Sequence, residues 1–219
     1  MKKDHHDIKR SFPITVLILA GGKSSRIGLN KDKGQMKLMG VNLIDRIVLN
    51  ITSIDGISEK DIVIVGSKEK FSQFEKVVED VYPQKGPLGG IFSGLRASKT
   101  LYNLAIGCDM PFIEGRLIKY MIQKIENHDI IIPKYQQDLF EPLCAIYSKN
   151  CLEVIEKNIK KGSLAVRSIF PFLKVRLIKE EEIKKYDPGL YSFFNINFRS
   201  DFSRAHELDL RRKRNIVKK

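Results

Sequence analysis

The feature that most limits the fold is an alternation of two hydrophobic patterns. ITVLILA at 14–20 is apolar on both faces and rich in β-branched residues, as a strand buried on both sides must be. DIVIVGS at 61–67, LAIGCDMP at 104–111 and DIIIP at 129–133 repeat that pattern. Between them the period changes. VNLIDRIVLNI places Leu43, Ile47 and Ile51 on one helical face with Ile44 and Val48 beside them, and GRLIKYMIQKIENH at 115–128 does the same. Doubly buried strands separated by amphipathic helices need a sheet covered on both sides. The expected fold class is therefore α/β, a three-layer α/β/α sandwich around a mostly parallel, Rossmann-like sheet. A closed barrel of eight βα units does not fit 219 residues comfortably.

The second half is less regular. EPLCAIYSK at 141–149 reads as a strand leading into a helix around CLEVIEKNI. GSLAVRSIF suggests a short helix, and FLKVRLI a strand before EEEIKKY. No internal repeat or Pro/Gly/Ser-rich linker divides the chain. The expected organisation is a flexible polar leader at 1–13, one domain at 14–210 and a basic tail at 211–219.

Composition removes several classes. No run of 18 apolar residues exists, so a membrane span is not expected. MKKDHHDIKRSF lacks the apolar core of a signal peptide. Cys108, Cys144 and Cys151 contain no CxxC pair, which speaks against a disulfide framework or zinc knuckle and for buried thiols in a reducing cytoplasm. The net charge of +13 raises the question of nucleic acid. However, the clearest basic block, RRKRNIVKK, is terminal, and no basic–aromatic repeat accompanies it. The excess reads as a general surface property that can also attract a polyanionic small substrate.

Ligands of open parallel sheets bind beyond the carboxyl ends of the strands. Three conspicuous stretches follow strands directly: AGGKSSRIG, GPLGGIFSG and CDMP. The first is not a Walker A loop, because the glycine needed five positions before Gly22 is Leu17. Adjacent Gly21 and Gly22 still permit close backbone approach and an anion nest. Lys23 supplies a flexible point charge, Arg26 a fork for phosphate oxygens, and Lys33 can reach back over the same anion. Asp109, at a strand end before Met110-Pro111, is a candidate Mg²⁺ ligand beside those cations. The competing reading is an ordinary turn aspartate.

Gly86, Gly89 and Gly90 could let backbone touch a flat base or ribose. Asp80, shortly upstream, could accept hydrogen bonds from the N1 and N2 donors of guanine and suits adenine poorly. Asn195 and Asn197 alternate with Phe194, Ile196 and Phe198. On a strand the two amides would share a face, available to metal-bound water, phosphate or an acceptor substrate. His5, His6, His128 and His206 show no metal-ligand spacing, and no G-x-S-x-G elbow marks a nucleophile.

These segments together resemble the MobA-like nucleotidyltransferase family, and within it the molybdenum cofactor guanylyltransferases. The family's L-A-G-G-x-S-x-R-M-G and D-K-G stand here as Leu19-Ala20-Gly21-Gly22-Lys23-Ser24-Ser25-Arg26-Ile27-Gly28 and Asp32-Lys33-Gly34, with isoleucine for methionine. GPLGG at 86–90 resembles G-P-L-A-G, CDMPF at 108–112 resembles C-D-x-P-F, and Asn195-Ile196-Asn197 resembles a late N-x-N element. The resemblance implies that the glycine loop, Lys23, Arg26 and Lys33 hold GTP, with Leu19, Gly86 and Gly90 in the same nucleotide site. It further implies that Asp109 binds Mg²⁺, that Asp80 contacts guanine, and that GMP is joined to molybdopterin with release of pyrophosphate. Proteins that deliver molybdopterin or mature molybdoenzymes are the implied partners, and a monomer is expected. The same loop and acid also resemble those of pterin cytidylyltransferases and sugar-phosphate nucleotidyltransferases. A non-catalytic phosphate- or RNA-binding protein is the alternative of a different class.

Overall fold

The computed structural model describes residues 13–21 and 33–217, the side chains of Lys33 and of residues 213–217 excepted. Ten strands follow in order: β1 (Ile14–Leu19), β2 (Lys37–Leu38), β3 (Val41–Asn42), β4 (Ile62–Val65), β5 (Val77–Val78), β6 (Tyr102–Gly107), β7 (Ile130–Tyr135), β8 (Leu139–Phe140), β9 (Cys144–Ser148) and β10 (Val175–Lys179). Interleaved with them are α1 (Leu43–Thr52), α2 (Gly86–Ala97), α3 (Gly115–Ile122), α4 (Cys151–Lys160), α5 (Glu180–Lys184) and α6 (Arg199–Val217).

The main sheet runs β10-β7-β9-β6-β1-β4-β5, with β8 beside β7. β1 lies in its middle, parallel to β4 and β6. Only β8 and β9 run against the rest, β9 antiparallel to both β6 and β7. The carboxyl ends of β1, β4, β5, β6, β7 and β10 consequently share one rim.

β1 is buried along its whole length because its alternate residues feed two cores. Ile14, Val16 and Ile18 pack under α1, α3 and α5 through Ile47, Ile51, Leu117, Met121 and Ile183. Leu17 and Leu19 face α2 and α4 through Leu88, Ile91, Leu95, Ile155 and Ile159. Each fully buried aliphatic side chain contributes about 1.5–3 kcal/mol, so the three-layer sandwich rests on the patterning that predicts it. All three cysteines are buried, and none is in a disulfide.

A third cluster joins Met36, Leu38, Leu43, Phe112, Ile196 and Ala205, fastening α6 to the β2–β3 hairpin. α6 starts where the Asp201 carboxylate accepts the backbone N–H groups of Asn197 and Phe198, both at 2.8 Å. The helix then continues to Val217, so most of the basic block expected as a separate tail is helical. Arg212 donates to the Phe112 carbonyl at 3.1 Å, and its guanidinium lies 5.5 Å from the ring centroids of Phe112 and Tyr191. Arg46 and Asp209 form a further ion pair between α1 and α6.

Three local expectations change. The helix predicted over 115–128 ends at Ile122, and Asn127 takes a left-handed φ of 60° as the chain turns into β7. The segment around 166–172 is 3-10 rather than α-helical, with Pro171 inside it. Phe194–Asn197 is not a strand. One N–H, that of Ile196, reaches the Asp109 carbonyl at 2.9 Å, and the next two are taken by Asp201. Ile196 is buried as expected, but Phe198 is 52% exposed.

Candidate functional site

The rim above β1 collects the ends of three strands. Ala20 N–H donates to the Val65 carbonyl at 2.8 Å, and Cys108 N–H to the Leu19 carbonyl at 3.1 Å, binding the segments after β1, β4 and β6 together. Gly21 is the last described residue before the glycine loop. Gly22, Lys23 and Arg26 lie outside the described residues. Of Lys33 the backbone is described, in a 3-10 turn spanning Lys33–Gln35.

Asp80, beyond β5, comes back over the end of β1. A Cβ placed on Gly21 would lie 3.2 Å from Asp80 Oδ2, and one on Gly90 would lie 3.8 Å from Asp80 Oδ1. The carboxylate thus fills the space between the end of β1 and the first turn of α2. Burial raises its pKa above the ordinary value, with the Ser93 hydroxyl opposing that shift. Ser93 Oγ nonetheless donates its proton to the Gly89 carbonyl at 2.8 Å and accepts from Val81 N–H at 2.9 Å. Asp80 Oδ1 is left buried with no hydrogen-bond partner among the described residues. A buried carboxylate oxygen of this kind is a place where a hydrogen-bond donor has still to be supplied.

The glycines of GPLGG belong to α2 itself rather than to a loop before it. Gly86 has a φ of +61° with open space around the missing Cβ, so it leaves the helix start accessible. At Gly89 and Gly90 the close approach is made by the protein's own atoms. A Cβ would lie 2.9 Å from the Tyr82 carbonyl oxygen at the first and 2.8 Å from Leu19 Cδ2 at the second. Gly90 thus lets α2 close on β1, and Gly89 lets it close on Tyr82 in the segment that carries Asp80.

Asp109 stands in the turn after β6, where Met110 N–H donates to the Gly107 carbonyl at 3.2 Å. A Cβ on Gly107 would fall 2.7 Å from Asp109 Oδ1, so the carboxylate folds back over the strand end. Close enough to feel its charge lies Glu141, between β8 and β9, only 8% exposed. The motif pattern did not mark this residue. Burial, and the Asp109 charge with it, raises the Glu141 pKa, while hydrogen bonds from Leu143 N–H, Asn195 and Tyr135 oppose the shift. Tyr135 stacks on Phe193 with centroids 4.4 Å apart, and burial with the Glu141 charge pushes its hydroxyl up to about 12. Asn195 Oδ1 is buried without a partner among the described residues. Asn197 contributes its backbone N–H to Asp201.

Asp80 and Asp109 are thus gathered on one rim with Gly21, Gly86 and Gly90, and Asn195 stands beside Asp109 and Glu141. Among the described residues no group of three or more His, Cys, Asp or Glu side chains is placed to hold a metal by itself. No described helix is long and apolar enough to cross a membrane.

A mostly parallel sheet whose strand ends present separated carboxylates beside a glycine-lined helix start defines a nucleotide-handling α/β domain. Residues 16–176 match the model of the MobA-like NTP transferase domain, and the chain belongs to that family. It is 34% identical over 194 residues to a molybdenum cofactor guanylyltransferase of Desulfosudis oleivorans, covering 88% of this chain and 94% of that one. It is 36% identical over 205 residues to a probable molybdenum cofactor guanylyltransferase of Clostridium perfringens, covering 91% and 96%. The fold is similar to the crystal structure of molybdopterin-guanine dinucleotide biosynthesis protein A from Archaeoglobus fulgidus, with a TM-score of 0.76 and 28% identity over 90% of this chain and 99% of that one. The resemblance read from the motifs and the α/β fold are both borne out, and the chain is a nucleotidyltransferase by family.

Proposed function

We propose that this protein transfers GMP from GTP to the terminal phosphate of molybdopterin, releasing pyrophosphate and forming molybdopterin guanine dinucleotide. The relatives at 34% and 36% identity, spanning nearly their whole length, support the reaction. The observation that carries the base preference is the buried, unpartnered Oδ1 of Asp80. Guanine offers two adjacent donors, N1–H and N2–H, to an acceptor-only carboxylate, and adenine and cytosine do not present that pair.

The acceptor phosphate is already a nucleophile, so no side chain need remove a proton. What remains for the protein is alignment and neutralisation of charge. In this reading the glycine loop from Leu19 to Gly22 and the cations Lys23, Arg26 and Lys33 hold the triphosphate, while Asp80, Gly86 and Gly90 hold the nucleoside. Asp109, together with Asn195 and Asn197, serves the metal and acceptor side. The donor set suits Mg²⁺, which favours oxygen ligands and commonly takes one or two carboxylates plus substrate phosphates. Bound at Asp109, that ion would offset phosphate charge at the reacting centre. The +13 net charge supports collection of two polyanions, an attraction that salt would weaken. We place the enzyme in the cytoplasm as a monomer, receiving its acceptor from proteins that deliver molybdopterin or passing its product to those that mature molybdoenzymes.

Equilibrium binding of GTP, ITP, ATP and CTP tests the base assignment. ITP keeps N1–H and lacks the 2-amino group, so it should bind about tenfold more weakly than GTP, and ATP and CTP more weakly still. Equal affinity for GTP and ATP would remove Asp80 from base recognition.

A further inference from the structure

A carboxylate selects a base only if it is held in one place and left open there. Asp80 sits between β5 and α2, outside any strand or helix that would fix it. Upstream, the Val78 carbonyl accepts from Gly66 N–H at 2.8 Å. Downstream, the N–H of Val81, the residue directly after Asp80, donates to Ser93 Oγ at 2.9 Å. Ser93 lies within α2 and is 2% exposed, so this anchor belongs to the packed interior. The next residue continues the contact with α2: the Tyr82 ring lies 5.3 Å from that of Phe92, and the Tyr82 carbonyl covers Gly89.

A serine hydroxyl has one proton and can also accept. Ser93 gives its proton to the Gly89 carbonyl, one helical turn back, at 2.8 Å. Toward the Asp80 segment it then acts as an acceptor, and it accepts at the backbone. The proton given to Gly89 is not available to Asp80 Oδ1, which stays buried with no partner among the described residues. That oxygen lies 3.8 Å from the position a Cβ on Gly90 would take, one residue beyond Gly89. The anchor and the open acceptor therefore share one turn of α2.

We propose that Ser93 is a positioning residue for base selection: it holds the Val81 N–H while its own proton is committed to Gly89, and so sets Asp80 Oδ1 where a purine carrying adjacent N–H donors meets it. The role rests on the reading of Asp80 as the guanine acceptor. Removing the hydroxyl leaves a good helix former in α2 but releases the Val81 N–H, and with it the chain one residue from Asp80. In that reading the triphosphate is held by other residues, so the loss is confined to the base.

The test is equilibrium binding of GTP and of ATP to the full chain and to S93A, S93C, D80N and S93A/D80N. S93A should bind GTP about tenfold more weakly and ATP as the wild type does, so the preference for guanine shrinks by that factor. In S93C the thiol is a weaker donor and acceptor at the same place, and its preference should fall between the two. Because Ser93 acts through Asp80, S93A should cost GTP affinity less than about threefold once D80N is present. A role in folding alone would lower the melting temperature while leaving the GTP-to-ATP ratio unchanged, or would weaken both nucleotides alike. Either result overturns the proposal, and so does a tenfold loss that persists in the D80N background. Should S93A fail to fold, S93C decides, and a ratio equal to that of the wild type overturns the role. A wild-type protein without preference for GTP over ATP removes Asp80 from base recognition and Ser93 with it. A wild-type preference that survives both S93A and S93C removes Ser93 alone.

Discussion

Asp80→Asn should make this protein more stable and worse at holding GTP. In the folded chain Asp80 Oδ1 is buried without a partner among the described residues, and burial raises the carboxyl pKa. Leaving a buried polar group unpaired costs about 1–3 kcal/mol, more when it is charged. The neutral amide keeps an unpaired oxygen but loses the charge. Because the residue as a whole is only half-buried, the gain is set at about 1 kcal/mol. For a chain of this size that raises Tm by roughly 2–4 °C. The sign with pH follows from the raised pKa. Stability contributed by the wild-type carboxyl is fully present below the unfolded value of about 3.9 and is lost as pH rises through the folded pKa. The advantage of Asp80→Asn should therefore grow upward from about pH 4 and level off above the folded pKa. Binding moves the other way. Two charge-assisted hydrogen bonds to guanine disappear and an NH₂ group meets N1–H and N2–H, so GTP affinity should drop by roughly 100-fold or more. Thermal unfolding over a pH series, paired with GTP titration, reads both effects. A variant less stable than wild type at neutral pH, or one binding GTP within about threefold of wild type, would refute the reasoning.

Other expectations are simpler. Asp109→Asn should abolish Mg²⁺-dependent turnover while leaving GTP binding without metal nearly intact, measured by pyrophosphate release and by titration in chelator. Gly94→Ala places a Cβ 2.6 Å from Cδ1 of the fully buried Leu17. Overpacking of about 1–3 kcal/mol should exceed the helix-propensity gain of about 1 kcal/mol, lowering denaturant stability without changing base preference. Burial acts to raise the Asp129 pKa, but Lys174 N–H, Asn150 and Ser148 donate to it and depress it overall. Its stability contribution is present above about pH 3.9 and lost as pH falls through the folded pKa, so Asp129→Asn should flatten the acid limb of the unfolding curve. Asp209→Ala removes the partner of Arg46 between α6 and α1, at a cost of about 3 kcal/mol in chemical denaturation.

The parts of the fold that were legible in the sequence are those written as strong periodic patterns. β1, β4, β6 and β7 are short apolar runs with few alternatives, and α1 buries the five residues its spacing predicts: Leu43, Ile44, Ile47, Val48 and Ile51. Phe194–Phe198 misled because alternation of large and polar side chains looks like a strand. A strand also needs a neighbour to pair with, and here Asp201 intercepts the backbone donors. RRKRNIVKK reads as solvated charge, yet Arg212 covers Phe112 and Tyr191, since a guanidinium can lie on an aromatic face as easily as in water. Asp80 was legible as a residue type suited to guanine, but its buried oxygen arises from the return of the chain after β5 over Gly21 and Gly90, which no local pattern records. Glu141 had no signal at all. It becomes part of the rim because β9 runs antiparallel between β6 and β7, bringing the 141–143 turn next to Asp109.

The most direct test of the proposed activity is transfer of label from α-phosphate-labelled nucleotides to molybdopterin by the purified protein with Mg²⁺, offering GTP, ATP, CTP and UTP separately. Label should enter a pterin dinucleotide from GTP, with stoichiometric pyrophosphate, and Asp109→Asn should stop it. Transfer from CTP in preference to GTP, or none from any nucleotide with intact acceptor present, would contradict guanylyl transfer to molybdopterin.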